Sequence, residues 1–334
     1  MVKITIKDRK ILFELWKNSR SSSQQIAKRV GLSREVIDYR IKRLVNEGII
    51  ERFVSVVDNE KLGFTTYMVN IQLQDFDENK MQEIINYFRN HKFIKWVASC
   101  SGKWDIIIVL SAKDKFHFDT LFSDITKQLG SNLREYEILT RLSIVKDSAI
   151  SFISLGKENY TDKETNSSSS IVKLDNIDLA ILSLLNNNAR IMNTKIASSL
   201  KISAESARMR IKKLEKLKVI RGYRAMLDVS KLGYMLFMIL IETNMTFYQK
   251  EKHLFTLFGS MPNIHYVERF LGSYPLAIEI VAKDTEEFQS VLIQLRNKLS
   301  TLIKSYELVV ILKQHKQESF PSGMVGAFGE NNQI

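Results

Sequence analysis

The chain repeats itself. Residues 8 to 146 lie on residues 178 to 316 without a gap, at a constant offset of 170 positions. Asp8 falls on Asp178, Asn18 and Arg20 on Asn188 and Arg190, and Ile26-Ala27 on Ile196-Ala197. Arg40-Ile41-Lys42 falls on Arg210-Ile211-Lys212, Lys61-Leu62-Gly63 on Lys231-Leu232-Gly233, and Tyr136-Glu137 on Tyr306-Glu307. An ungapped offset of that length requires two copies of one domain-sized unit and excludes a solenoid of short repeats. With 334 residues, each copy is long enough to bury a core.

Within each copy the hydrophobic period changes once. Near the start it is helical. Ile11, Leu12 and Leu15 form one stripe, Ile26, Ala27 and Val30 a second, and Ile37, Ile41, Leu44 and Val45 a third. Asp8 is placed to cap or charge the first helix. From about residue 64 the chain alternates. Tyr67 to Leu73, Phe93 to Cys100, Trp104 to Leu110 and Glu135 to Val145 read as strands, with helices over Asn79 to Arg89 and Lys115 to Leu129. In the second copy the strands fall near Phe237 to Glu242, Ile264 to Phe270, Leu276 to Ala282 and Tyr306 to Leu312.

The fold class implied is α+β: two tandem copies of an N-terminal helix-turn-helix domain followed by a ferredoxin-like βαββαβ domain. The expected boundaries are 1–60 and 61–150 for the first copy, a linker over 151–173, then 174–230 and 231–316, with a disordered tail at 317–334. The linker reading rests on the polar stretch ending in Ser167 to Ser170, and the tail reading on Gly, Asn and Gln content.

The stretch Gln24 to Leu44 carries the chemistry. Gly31-Leu32-Ser33 separates two helices: the glycine accepts a left-handed C-terminus and Ser33 caps the next helix. The second helix of such a motif enters the major groove of DNA. With Ile37, Ile41 and Leu44 buried, Arg34, Glu35, Asp38, Tyr39, Lys42 and Arg43 face outward, supplying cations for phosphates and planar or forked groups for base edges. In the second copy the turn is Lys201-Ile202-Ser203, with Lys201 taking the place of the glycine, and the outward set becomes Ala204, Glu205, Arg208, Met209, Lys212 and Lys213. Two non-equivalent readers are expected. Arg40 and Arg210 recur with Asp8 and Asp178, either as phosphate contacts or as ion pairs inside the domain.

A net charge of +12 fits an anionic partner. One cysteine, Cys100, excludes an internal disulfide and reads as a small core residue; with no signal-type N-terminus or spanning run, a cytoplasmic location is expected.

These residues resemble the Lrp/AsnC (feast/famine) transcription regulators. The resemblance rests on Ile49-Ile50, Asp58 and Lys61-Leu62-Gly63 in the first copy. In the second it rests on Leu174-Asp175-Asn176-Ile177-Asp178, Asn188-Ala189-Arg190, Val219-Ile220-Arg221-Gly222-Tyr223, Leu227-Asp228 and Lys231-Leu232-Gly233. The resemblance implies double-stranded DNA as partner and pairing of the ferredoxin-like domains, as an intrachain pseudo-dimer or a homo-oligomer. It also implies a small effector, such as an amino acid, at a Gly-x-x-Asp turn: Gly102, Lys103, Trp104 and Asp105, where a plain hairpin turn is the alternative. The second copy has Pro275 at the aspartate position.

Two rivals remain: a low-specificity, chromatin-like DNA-binding protein, and an enzyme of the sirohaem-decarboxylase type on a related fold. None of the five histidines pairs with another at metal-ligand spacing, and P-loop, dinucleotide and nucleophile-elbow motifs are missing. The reading is therefore of a non-enzyme with no catalytic residue, metal or cofactor.

Overall fold

The computed structural model describes residues 4–154, 170–244 and 257–329. The chain divides into two compact units, and each draws on both copies. Unit 1 comprises Met1–Phe64, Ser169–Leu232 and Glu318–Ile334; unit 2 comprises Thr65–Ser168 and Gly233–Gln317. The copies are thus sequential along the chain but intertwined in space, which the sequence boundaries did not anticipate.

Unit 1 holds helices α1 (Ile6–Lys17), α2 (Ser23–Val30) and α3 (Arg34–Asn46), followed by strand β1 (Ile50–Val57). Their repeats are α7 (Asn176–Asn187), α8 (Asn193–Leu200), α9 (Ala204–Lys216) and β6 (Ile220–Leu227). β1 pairs antiparallel with β6 as a two-stranded sheet, Phe53 opposite Ala225 and Ser55 opposite Tyr223. Sequence reading missed both strands, because the partner of each lies 170 residues away rather than across a turn.

The joint is reciprocal. The Ser19 amide donates to Tyr223 O (2.8 Å) and the Ala189 amide to Phe53 O (2.8 Å). The Arg20 guanidinium donates to Ala189 O (2.6 Å) and lies over the Tyr223 ring. Arg190 donates to Ser19 O (2.6 Å) and lies over Phe53. The repeated arginines are therefore the staple between the two copies.

Residues 318–329, expected to be disordered, are ordered. The Val57 amide donates to Ser319 Oγ (2.6 Å), the Phe320 amide donates to Asn186 Oδ1 (3.1 Å), and Phe320 and Met324 are buried. A short helix closes the segment (Gly323–Gly329, α11). Two apolar anchors and a buried amide acceptor outweigh the tail's loop-like composition. The linker is ordered at its ends, with a helical turn at Ser151–Ser154 (α6) and Val172 donating to Lys61 O (2.7 Å); its serine run to Ser169 lies outside the described residues.

Unit 2 is a closed eight-stranded barrel of order β10-β3-β4-β2-β5-β8-β9-β7. The first copy gives β2 (Thr65–Leu73), β3 (Ile94–Ser101), β4 (Ile106–Ala112) and β5 (Leu133–Asp147), with helices α4 (Glu78–Asn90) and α5 (Lys115–Leu129). The second gives β7 (Met235–Thr243), β8 (Ile264–Leu271), β9 (Leu276–Ala282) and β10 (Ile303–Gln317), with helix α10 (Thr285–Leu299). The long strands β5 and β10 close it. β5 pairs with β2 over its first part and with β8 over its second; β10 pairs likewise with β7 and then β3. Closure within one chain pairs the edge strands of both copies. Each copy has its own helix-to-sheet core, such as Val69, Ile71, Ile84, Phe88, Ile108 and Ile125 in the first. The opposite strand faces turn into the barrel, where Met68, Trp104 and Leu139 meet Met238, Phe270 and Val309.

Candidate nucleic-acid interface

The two copies build the same scaffold under α3 and α9. Ile37, Ile41 and Leu44 face inward from α3, and Ala207, Ile211 and Leu214 from α9. Ser33 accepts the Val36 amide (3.3 Å) and Ser203 the Ser206 amide (3.0 Å), fixing each helix start. The preceding turns are both left-handed: Gly31 at φ 70° and Lys201 at φ 53°. A non-glycine residue there costs about 1 kcal/mol.

A buried carboxylate organises each scaffold. Asp8 is fully buried and completes a capping box with Thr5; Arg40 (2.7 Å) and Arg43 (2.8 Å) converge on it. Burial opposes its ionisation, but Thr5 and the two guanidinium groups outweigh that and hold its pKa at about 2. Asp178 is bound in the same way by Arg210 (2.7 Å) and Lys213 (2.9 Å). Arg40 and Arg210 are thus intradomain partners. The outward placement expected for Arg43 is corrected to a half-buried one, whereas Lys213 stays exposed while its amine reaches Asp178. The buried carboxylate attracts a second cation in each copy.

The remaining predicted positions lie on accessible faces. On α3, Arg34, Glu35 and Lys42 are exposed and the Tyr39 ring is 67% exposed. Asp38 does not face freely outward: it accepts a hydrogen bond from Ser23 and lies 3.7 Å from Arg34. On α9, Ala204, Glu205 and Lys212 are exposed, Met209 is 54% exposed, and Arg208 pairs with Glu205. Glu35 and Lys42 have identical counterparts in Glu205 and Lys212, whereas Arg34, Asp38 and Tyr39 become Ala204, Arg208 and Met209.

The expected effector turn is engaged by the chain itself. The Leu73 amide donates to Asp105 Oδ2 (2.7 Å), Lys103 pairs with Glu135 (3.0 Å), and Trp104 is fully buried in the barrel core. Gly102 (φ +128°) is pressed against β10, where an added Cβ would lie 2.6 Å from Leu308 O. Gly272 (φ +141°) is pressed in the same way against Leu139 and Ile138 of β5. The glycine recurs without the aspartate because the strand crossing needs it.

Helices α1 to α3 match a winged helix-turn-helix DNA-binding family over residues 4–51, and residues 174–215 match the AsnC-type helix-turn-helix domain. An HTH-type transcriptional regulator of Pyrococcus furiosus is 33% identical over 106 residues, covering 31% of this chain and 71% of the relative. One from Pyrococcus horikoshii is 32% identical over 139 residues, covering 41% and 88%. The leucine-responsive regulatory protein of Rhizobium meliloti is 49% identical over 63 residues, covering 19% and 40%.

The solved structure of the siroheme decarboxylase NirDL matches 98% of this chain and 100% of its own, at a TM-score of 0.63 and 13% identity. That identity shows the fold alone. It nevertheless corrects the expectation that the chain is no enzyme, since the whole two-copy architecture is one on which an enzyme is built. The two Pyrococcus regulators, matched over 71% and 88% of their own lengths, and the two helix-turn-helix matches decide the family: this chain is a member of the Lrp/AsnC family of DNA-binding transcription regulators.

Proposed function

We propose that unit 1 reads an asymmetric DNA site through α3 and α9, acting as a dimer-like reader within one chain. The observation that carries this reading is the reciprocal joint between the copies, together with the unlike exposed faces of the two helices. A two-fold arrangement of such helices matches two half-sites on a duplex, and identical helices require a palindrome. Here Arg34 and Tyr39 on α3 offer a forked donor and a planar group for base edges, while α9 offers Met209 and the Glu205-paired Arg208. Lys42 and Lys212 serve both half-sites as phosphate contacts, which position without specifying. Glu205 and Arg208 neutralise each other on the surface, so α9 is the less discriminating reader.

Genomic fragments retained by the full chain at two salt concentrations, then sequenced, test the reading. The expected result is a short site with two different halves, still enriched at the higher salt. Retention without sequence preference that collapses with salt would identify binding by charge alone and overturn it.

A further inference from the structure

The seam that closes the barrel of unit 2 leaves part of β10 open. β10 pairs with β7 from Ile303 to Ile311, but with β3 only from Val310 to Gln317. Among the described residues, the edge of β10 away from β7 therefore has no strand beside it from Ile303 until the turn at Gly102 meets Leu308. The main-chain donors and acceptors of such an edge are a template for another extended chain.

A groove of about 590 Å³ lies along that stretch. One wall is α10, through Ile293, Arg296, Asn297 and Ser300, and the other is β10 from Ile303 to Tyr306. Ile293 is 50% exposed, and Ile303 and Tyr306 are half-buried against the helix-side core, so the floor is an apolar strip. Arg296, Asn297 and Ser300 are exposed, and none has a hydrogen-bond or ion-pair partner among the described residues. A strand edge facing a helix across an apolar groove is the arrangement that takes up a peptide as an added strand: the main chain gives affinity and the side-chain pockets give specificity.

Charge selects the occupant. Lys304 pairs with Glu242 on β7, and the Ser305 hydroxyl donates to the same carboxylate (2.7 Å), so that lysine is balanced. Arg296 is not. Glu307 alternates with Tyr306 and Leu308, which pack on the helix side; it belongs to the opposite strand face, within electrostatic reach of Lys103. The groove is therefore positive, and a second copy of the same edge would bring like charges together. The corresponding edge of the first copy has another lining. Ser123 and Thr126 replace Ile293 and Arg296, and the Thr126 hydroxyl donates to Ser123 O (2.9 Å). Glu135, in the place of Ser305, pairs with Lys103 (3.0 Å). The fold thus gives both copies the edge, whereas the uncompensated cation and the exposed isoleucine belong to the second copy.

We propose that this groove binds an extended acidic peptide of a partner protein, added to β10 as a further strand. One carboxylate of the peptide meets Arg296, and an apolar side chain covers Ile293 and Ile303. The site lies within unit 2 and does not rest on the DNA-reading proposal.

The test is fluorescence anisotropy of the full chain with labelled hexapeptides that alternate valine with glutamate or valine with lysine. The expected result is saturable binding of the glutamate peptide, at least about tenfold tighter than that of the lysine peptide. Arg296→Gln changes an exposed helix position, so it should fold as the parent does by circular dichroism while losing about tenfold in affinity for the glutamate peptide. Alternate amides of a paired strand face its neighbour. N-methylation of one alternate set of peptide amides should therefore abolish binding, and methylation of the other set should leave it. No saturable binding of the glutamate peptide, equal affinity for the lysine peptide, or equal tolerance of methylation on both sets overturns the proposal. Self-association of the full chain that Arg296→Gln abolishes, with no peptide bound, would give the edge to a second copy and overturn it as well.

Discussion

The joint between the copies in unit 1 and the seams between them in unit 2 have kept their pairwise symmetry, while the surfaces beside them have not. Arg20 and Arg190 staple the same backbone positions in opposite copies, and Gly102 and Gly272 sit against opposite strands. Beside these joints, Tyr39 has become Met209 and Val109 has become Glu279. A residue at a joint is constrained by two copies at once. A residue on a reader helix or inside the barrel is constrained only by what it meets there. The unlike exposed faces of α3 and α9 fit the proposal that DNA, rather than the fold, sets those side chains.

The seam glycines offer the largest expected effect. Gly102→Ala puts a methyl group 2.6 Å from a backbone oxygen in a conformation L-residues avoid, and should destabilise by about 4 kcal/mol. Gly272→Ala meets first a leucine methyl that can move, and should cost about half as much. Denaturant unfolding of both variants checks the order; equal effects would mean that the two seams are not packed as described.

The buried acids come next. Asp8→Asn leaves Arg40 and Arg43 facing a neutral group and should destabilise by about 2–3 kcal/mol, discounted because both guanidinium groups are partly solvated. The Asp8 pKa is lowered on folding, so its contribution is present above pH 4 and is lost as pH falls towards 2. The variant's deficit in thermal unfolding should therefore shrink over that window. A deficit independent of pH would point to shape rather than charge.

Smaller effects are expected on the shared cations of the readers. Lys42→Ala and Lys212→Ala should each weaken DNA binding by about 1 kcal/mol, alike across sequences, and lower the salt slope by about one. Sequence-dependent losses at either position, measured by fluorescence anisotropy, would assign that lysine to a base edge.

Much of this was legible in the chain. The ungapped repeat, the three helical stripes and the alternating strands located α5 to the residue and the buried face of α3, because their signals are local. What was missed depended on partners far away in sequence. β1 and β6 are defined by each other, β5 and β10 run on through polar residues because they pair with the other copy, and Phe320 is buried by a helix that begins at Asn176. The reader helices were legible as amphipathic surfaces, but the pairing of Arg43 and Lys213 with a buried acid was not. The repeat of Asp8 as Asp178 was the available signal.

The central claim is that two unlike readers are held as a dimer by one chain. The direct test is to make them alike. The variant A204R/R208D/M209Y gives α9 the exposed face of α3, and its preferred DNA site is then selected from a random pool alongside that of the parent. The expected result is a change from a site with two different halves to an inverted repeat of the half read by α3. A preferred site unchanged by the substitutions would contradict the account.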